Sequence, residues 1–339
     1  TVAQHGMDGL ILATFLSGLM MAGLGFLRLG TFIKFIPFPV TVGFTAGIAV
    51  IIGASQIKDL LGLSLSHEPA DLLEKLPALW EARASFTPEA LGLSLATAAI
   101  MLGLRAWRPR WPGMLIAVAA AAATTTVLAL PVETIGTKFG GIPSTLPHPA
   151  LPDLSPTRIL AVLPSAISFT LLGAIESLLS AVVADGMTGR RHRSNCELIA
   201  QGAANVGSAL FGGFCVTGTI ARTATNVRSG AHGPVAGMLH AAFLLLFMLL
   251  AAPLAAYIPL AALAGVLVIV AWNMIEKPAV AVLVRSGGGE ATVLAATVLL
   301  TIFRDLTEAI VVGIALGSVL FIHRMSRATA VARDVPLVG

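Results

Sequence analysis

Apolar positions in this chain gather into long, nearly unbroken stretches instead of alternating with polar ones. Runs almost free of charge cover 10–26, 40–57, 91–104, 114–130, 160–175, 233–254, 258–271, 291–303 and 309–321. A hydrocarbon layer of ~30 Å takes roughly 20 residues of helix to cross, so with small flanking residues most of these runs are long enough to span. Basic residues cluster at alternate connections: Arg28/Lys34, Arg105/Arg108/Arg110, Arg190/Arg191/Arg193, Lys277/Arg285 and His323/Arg324/Arg327/Arg333. The connections between them, at 58–88, 131–157, around Gly212, at 253–259 and at Arg304/Asp305, are acidic, mixed or nearly neutral. Cytoplasmic loops carry an excess of Lys and Arg. The alternation therefore predicts eleven membrane segments, near 8–27, 36–57, 89–106, 112–130, 158–185, 194–211, 219–229, 232–255, 258–276, 289–303 and 306–324, with the C-terminus cytoplasmic.

Composition agrees with a chain dissolved in lipid. Of 339 residues 56% are hydrophobic and 11% charged, with a mean hydropathy of +0.91, whereas soluble domains carry about 25% charged residues. The fold class expected is an all-α polytopic membrane protein. The net charge of +4 sits in loop flanks, which argues against a nucleic-acid partner. Residues 1–6 lack the charged and apolar regions of a signal peptide. Cys196 and Cys215 are isolated and read as small packing residues. No P-loop, nucleophile elbow, Cys-x-x-Cys pair or metal-spaced His pair occurs, so neither an enzyme nor a cofactor or metal is expected.

Two segments are too polar or too short for ordinary spans. Residues 194–211 carry Glu197, Gln201 and Asn205 at helical spacing on one face, and 219–229 is brief and follows Gly212, Gly213 and Gly218. Interrupted segments of this kind mark substrate sites of secondary transporters, because irregular backbone at membrane depth survives only where protein or a water-filled cavity satisfies it. A faint internal symmetry points the same way. Ile36-Pro37 and Ile258-Pro259 each open a span rich in small residues. Equating them makes the four segments of 8–130 correspond to the last four of the seven in 158–324, so three further segments are expected upstream, completing an inverted seven-plus-seven repeat.

The stretch 212–231 is dense in Gly and Thr and has Arg222 at its centre. A helix beginning near Thr219 leaves its first amides without intrahelical partners, with Thr217 or Thr219 as N-cap and Gly218 permitting a close approach. Arg222 falls in that first turn, where the helix dipole already disfavours a cation. Two positive features meeting in a low dielectric suit an anion between them; the alternative is Arg222 paired to a buried carboxylate with no substrate, and Glu176 is available for that. Ser165, Phe169, Gly173, Glu176 and Ser180 form a narrow stripe on one helix face. A charge on Glu176 is expensive there, so this residue would carry a coupling proton, hold Na⁺, or pair with Arg222. Gly43/Gly47 and Gly313/Gly317 read as close helix packing, His240 as a hydrogen-bonded packing residue, and Asp185 and Glu197 as electrostatic anchors of the basic loop between them.

Residues 173–241, from GAIESLLSAVVADGMTGRRHRSNCELIAQGAANVGSALFGGFCVTGTIARTATNVRSG onward, and FIPFPVTVGFTAGIAVIIGASQIKDLLGL at 35–63 resemble signature segments of the SulP (sulfate permease) family of anion transporters. The resemblance runs over essentially the whole chain. It implies fourteen segments in two inverted seven-segment repeats, as in the uracil transporter class, with a core domain (1–27 and 158–255) moving against a gate domain (28–130 and 256–326). Residues 131–157 would be an extracytoplasmic connection and 327–339 the start of a cytoplasmic tail. It further implies a bacterial inner-membrane protein, commonly a homodimer, whose first three segments and STAS domain lie outside this sequence. Family members bind the anion between two half-helices; the second matches 219–227, giving Gly218, Thr219, the amides of Ile220 and Ala221, and Arg222 as the substrate site. Glu176 stands where related bicarbonate transporters carry an Asp of a sodium site, and the Thr that helps hold sodium there aligns with Ile220. That departure favours H⁺ over Na⁺. The function implied is secondary active transport of a small anion of the sulfate, bicarbonate or dicarboxylate class by H⁺-coupled symport; the alternatives are an uncoupled exchanger or channel, a Na⁺-coupled bicarbonate symporter, and a non-transporting scaffold.

Overall fold

In the computed structural model, residues 1–33, 37–65, 68–69, 72–304 and 306–331 are described. Helices follow in the order α1 (Val2–Phe26), α2 (Gly30–Ile33), α3 (Phe38–Ser55), α4 (Ile57–Leu61), α5 (Leu72–Glu81), α6 (Pro88–Trp107), α7 (Gly113–Val127) and α8 (Ile135–Phe139). Next come α9 (Pro156–Thr188), α10 (Ser194–Leu210), α11 (Ile220–Arg228) and α12 (Val235–Ala255). The last four are α13 (Leu260–Met274), α14 (Lys277–Ser286), α15 (Gly288–Phe303) and α16 (Leu306–Val331). Among the described residues six helices are long and apolar enough to cross a membrane, and Gly113–Val127, Gly288–Phe303 and Glu308–Leu320 are shorter apolar helices. With α10 and α11 these make up the eleven expected segments. Within α1 the backbone breaks at Gly6, whose φ of 68° suits a residue without Cβ. Regular helix thus starts beside the boundary expected at residue 8.

The chain divides into two compact units, Thr1–Ile36 with Thr145–Leu245, and Pro37–Ser144 with Leu246–Gly339. In the first, α1 packs on α10 and α9. Glycines bring α1 and α10 into backbone contact: a Cβ on Gly18 would lie 2.7 Å from the Gly202 carbonyl oxygen, and one on Gly25 would lie 2.7 Å from that of Asn195. Against α9, α1 buries Leu12 and Ala13 on Val162 and Ala166, and Thr170 donates to Ser17 Oγ at 3.3 Å.

Unit two repeats one packing scheme. Pro37 and Pro259 both sit in extended backbone as N-caps, of α3 and α13, and each is followed six positions later by a glycine, Gly43 and Gly265. A Cβ on Gly43 would fall 2.9 Å from the Leu294 carbonyl oxygen of α15, and one on Gly265 would fall 2.5 Å from that of Ser94 on α6. The two pairs, α3 with α15 and α13 with α6, are thus built alike, which gives the Ile-Pro correspondence a structural basis. Gly47 lies against Thr301, Gly313 against Thr297 and Val40, and Gly317 against the Pro37 ring, so both small-residue pairs do serve close packing. The connections at the α6 start are tied down as well: Thr87 donates through its amide to the Leu61 carbonyl at 3.1 Å and through Oγ1 to that of Gly62 at 3.1 Å. A short antiparallel bridge joins Thr134 to Pro259.

Two expectations need correction. His240 lies exposed on α12 and its side chain makes no hydrogen bond among the described residues, since only 6% of the apolar window of α12 is buried. A helix without a polar face carries no periodic signal of which side packs. Of the pair bracketing the basic loop, Asp185 does anchor it, through Oδ2 to His192 Nδ1 at 2.7 Å, and Ser194 Oγ lies 3.0 Å from His192 Nε2. Glu197 makes no ion pair among the described residues.

Candidate functional site

The site is built where α10 ends and the chain turns back towards α9. Gly212, with φ 72°, takes the left-handed turn, and the amides of Gly212 and Gly213 close α10 on the carbonyls of Ala209 and Ser208 at 3.0 and 2.8 Å. Residues 214–219 then run without regular structure. Main-chain groups in such a segment must find partners other than helix carbonyls. Side chains of α10 provide several. The fully buried Asn205 holds both main-chain groups of Val216, donating through Nδ2 to its carbonyl and accepting its amide at Oδ1, each at 2.9 Å. Gln201 Nε2 donates to the same carbonyl. Ser208 Oγ donates to the Phe214 carbonyl at 2.7 Å.

α9 holds the next stretch. Thr217 Oγ1 donates to the Gly173 carbonyl at 3.2 Å and lies 3.0 Å from Ser177 Oγ, which accepts the Gly218 amide at 3.2 Å. One turn on, Ser180 Oγ meets Thr223 Oγ1 at 2.6 Å. A Cβ on Gly218 would come 3.3 Å from Ser177 Cα, so the glycine lets the segment lie flat on α9. These contacts set the point at which α11 begins, with Thr219 as its N-cap in extended backbone (φ −119°, ψ 122°).

Thr219 makes no side-chain capping bond, and Thr217 spends its hydroxyl on α9, so neither threonine caps the helix through its side chain. Ile220, Ala221 and Arg222 form the first turn, where amides lack intrahelical acceptors. Arg222 is exposed and has no ion pair among the described residues. Glu176 is half-buried on α9 between Gly173 and Ser180, and no ion pair joins it to Arg222 among the described residues. The structure therefore brings Gly218, Thr219 and the α11 start onto the α9 face that carries Gly173 and Ser180, with Glu176 on an adjoining position. No group of three or more metal-ligating side chains occurs among the described residues.

Ser177 and Ser208 are the structural residues that periodicity passed over. Ser177 sits four positions beyond Gly173, a helical spacing as good as that of Glu176, and a search for two small polar residues flanking a glycine would have found it. Asn205 shows on the polar face of α10, but its partner lies in an irregular segment.

Comparison with known proteins matches residues 1–297 to the Sulfate permease family. YvdB of Bacillus subtilis (strain 168) is 40% identical over 332 residues, covering 97% of this chain and 62% of that protein. The Sodium-independent sulfate anion transporter of Bos taurus is 30% identical over 97% of this chain and 60% of its own length. The chain thus spans about three fifths of the length of these curated relatives. Among solved structures, the transmembrane domain of a cyanobacterium bicarbonate transporter BicA superposes with a TM-score of 0.79 at 31% identity, covering 91% of this chain and 78% of that one. By sequence over most of its length and by its inverted-repeat helical fold, this chain belongs to the sulfate permease family.

Proposed function

We propose that this chain is the membrane part of a secondary transporter of small anions, with the anion held at the start of α11 by the amides of Ile220 and Ala221, by Gly218 and Thr219, and by the field of Arg222. The observation that carries this reading is the clamped segment 214–219. Its polar backbone is fixed by Asn205, Ser208 and Ser177, so α11 begins at a defined point, with Arg222 in the first turn beside amides that lack intrahelical acceptors. The names of relatives support the class of substrate, since they give a sulfate anion transporter and a bicarbonate transporter. In this reading residues 1–27 and 158–255 are the moving core, and 28–130 with 256–326 are the gate. The protein resides in the bacterial inner membrane as a homodimer, with its C-terminus cytoplasmic.

Glu176 carries the coupling proton. Ile220 offers no side-chain oxygen at the position where a Thr would help hold sodium, and the bovine relative is named as sodium-independent; both support H⁺ over Na⁺. The test is uptake into proteoliposomes by the full-length protein of sulfate, bicarbonate, chloride and a dicarboxylate, under an imposed pH or Na⁺ gradient. Uptake of one anion driven by the pH gradient and uncoupled from it by Glu176→Gln is the expected result. Uptake indifferent to both gradients and to Glu176→Gln points to an uncoupled exchanger or channel, and dependence on Na⁺ points to a sodium symporter.

A further inference from the structure

The turn between α6 and α7 presents an unusual surface. α6 ends at Trp107 and α7 begins at Gly113, so two apolar helices are joined by five residues, which must therefore lie at the level of the lipid headgroups. The turn is folded tightly: the Arg108 amide donates to the Leu104 carbonyl at 2.7 Å and the Trp111 amide to that of Arg108 at 2.9 Å. Within seven residues it displays Arg105, Arg108 and Arg110 together with Trp107 and Trp111, the tryptophans 75% and 56% exposed. The Arg108 guanidinium stacks 5.2 Å from the centre of the Trp107 ring. None of the three arginines has an ion pair among the described residues.

The other end of the same helix differs. There Lys58 and Lys75 both reach Glu68, at 3.2 and 2.8 Å, and Lys138 reaches Asp59 at 3.5 Å and Glu133 at 3.3 Å. Lysines at that end are matched by carboxylates of this chain. At the α6–α7 turn three like charges crowd a short loop with no ion pair among the described residues, beside two aromatic rings whose amphipathic character suits the headgroup layer.

We propose that the α6–α7 turn is a binding site for anionic phospholipid, with Arg105, Arg108 and Arg110 on the headgroup phosphate and Trp107 and Trp111 against the glycerol and upper acyl region. Guanidinium matches phosphate through paired N–H donors, and a basic residue near an anionic leaflet strengthens association by roughly fivefold. The site lies in unit two and does not depend on where the transported anion binds.

The full-length protein with Trp80→Phe and Trp272→Phe, which leaves Trp107 and Trp111 as tryptophans of this chain, is reconstituted in bilayers containing brominated phosphatidylglycerol or brominated phosphatidylcholine at equal mole fraction. Tryptophan quenching is the readout. The phosphatidylglycerol should quench at an apparent concentration at least roughly fivefold above its bulk share. Adding Arg105→Gln, Arg108→Gln and Arg110→Gln should remove that preference. On the unaltered arginines, ionic strength near 1 M, where the Debye length falls to about 3 Å, should weaken it, a check that holds even if the triple variant does not fold. Inorganic phosphate at millimolar concentration should leave the preference in place; its loss would mean a site for free phosphate instead. Equal quenching by both lipids would overturn the proposal, as would no quenching by either, which would mean that protein covers the turn.

Discussion

Two helix contacts in the first unit use the same kind of residue to different ends. Where α1 crosses α10, glycines at 18, 25 and 202 bring backbone against backbone, and a Cβ on Gly202 would stand 2.5 Å from the Gly18 carbonyl oxygen and 2.7 Å from the Ala22 amide. Nothing adjustable lies between them. Where residues 217–223 lie on α9, the joint is made of hydroxyls at 2.6 to 3.2 Å, and the glycine there leaves 3.3 Å to the nearest atom. Dispersion at close range, the main source of helix association in lipid, has no alternative geometry once backbones touch. Hydroxyl pairs at a membrane joint contribute only about 0.6 kcal/mol each and can exchange partners. One contact is a frame and the other a joint, and the candidate anion site sits on the joint.

The largest effect expected follows from the frame. Gly202→Val puts a branched side chain into the Gly18 backbone, which neither helix can yield without separating, and should cost more than the about 1–3 kcal/mol typical of overpacking. Loss of folded protein on size-exclusion chromatography is the expected result; a melting temperature like the wild type would show the crossing to be as compliant as the joint. Next comes Asn205→Leu, which leaves the Val216 amide without its acceptor while Gln201 still reaches the carbonyl, at about 1–3 kcal/mol for the group left unpaired. It should lower the melting temperature and, in addition, impair transport. Ser177→Ala removes the acceptor of the Gly218 amide and should cost about 1 kcal/mol, with a larger loss in uptake rate than in stability. The smallest change belongs to Thr219→Ala: its side chain makes no capping bond, so the melting temperature should stay within the equivalent of about 0.5 kcal/mol. A loss of about 1 kcal/mol, usual for a removed cap, would show that Thr219 does close the helix.

Much of the frame was legible in the sequence and much of the joint was not. Apolar runs marked the helices, and the prolines at 37 and 259 marked where α3 and α13 begin, because both the length of a span and the conformation before a helix are local properties. Close contact at Gly43 and Gly47 followed from small residues four apart. The clamp on Val216 did not, since its partners stand eleven to fifteen residues away on another helix and a side chain bonded to irregular backbone leaves no period to detect. The same holds for Thr217 on Gly173, forty-four residues apart. Leu72–Glu81 formed a helix inside what read as a polar connection, and α12, apolar all round, has no polar face to signal which side packs. Residue types alone singled out Arg222 and Glu176; they could not tell that no ion pair would join them.

The central claim is that the start of α11 takes the anion and that Arg222 supplies the field there. The most direct measurement is the anion concentration for half-maximal uptake in proteoliposomes, wild type against Arg222→Ala, at matched protein orientation and with melting temperatures recorded for both. The account predicts at least a tenfold rise, about 1.4 kcal/mol of lost binding, with an unchanged melting temperature, since Arg222 is exposed and has no ion pair among the described residues. An unchanged half-saturation in a correctly folded Arg222→Ala protein would contradict it.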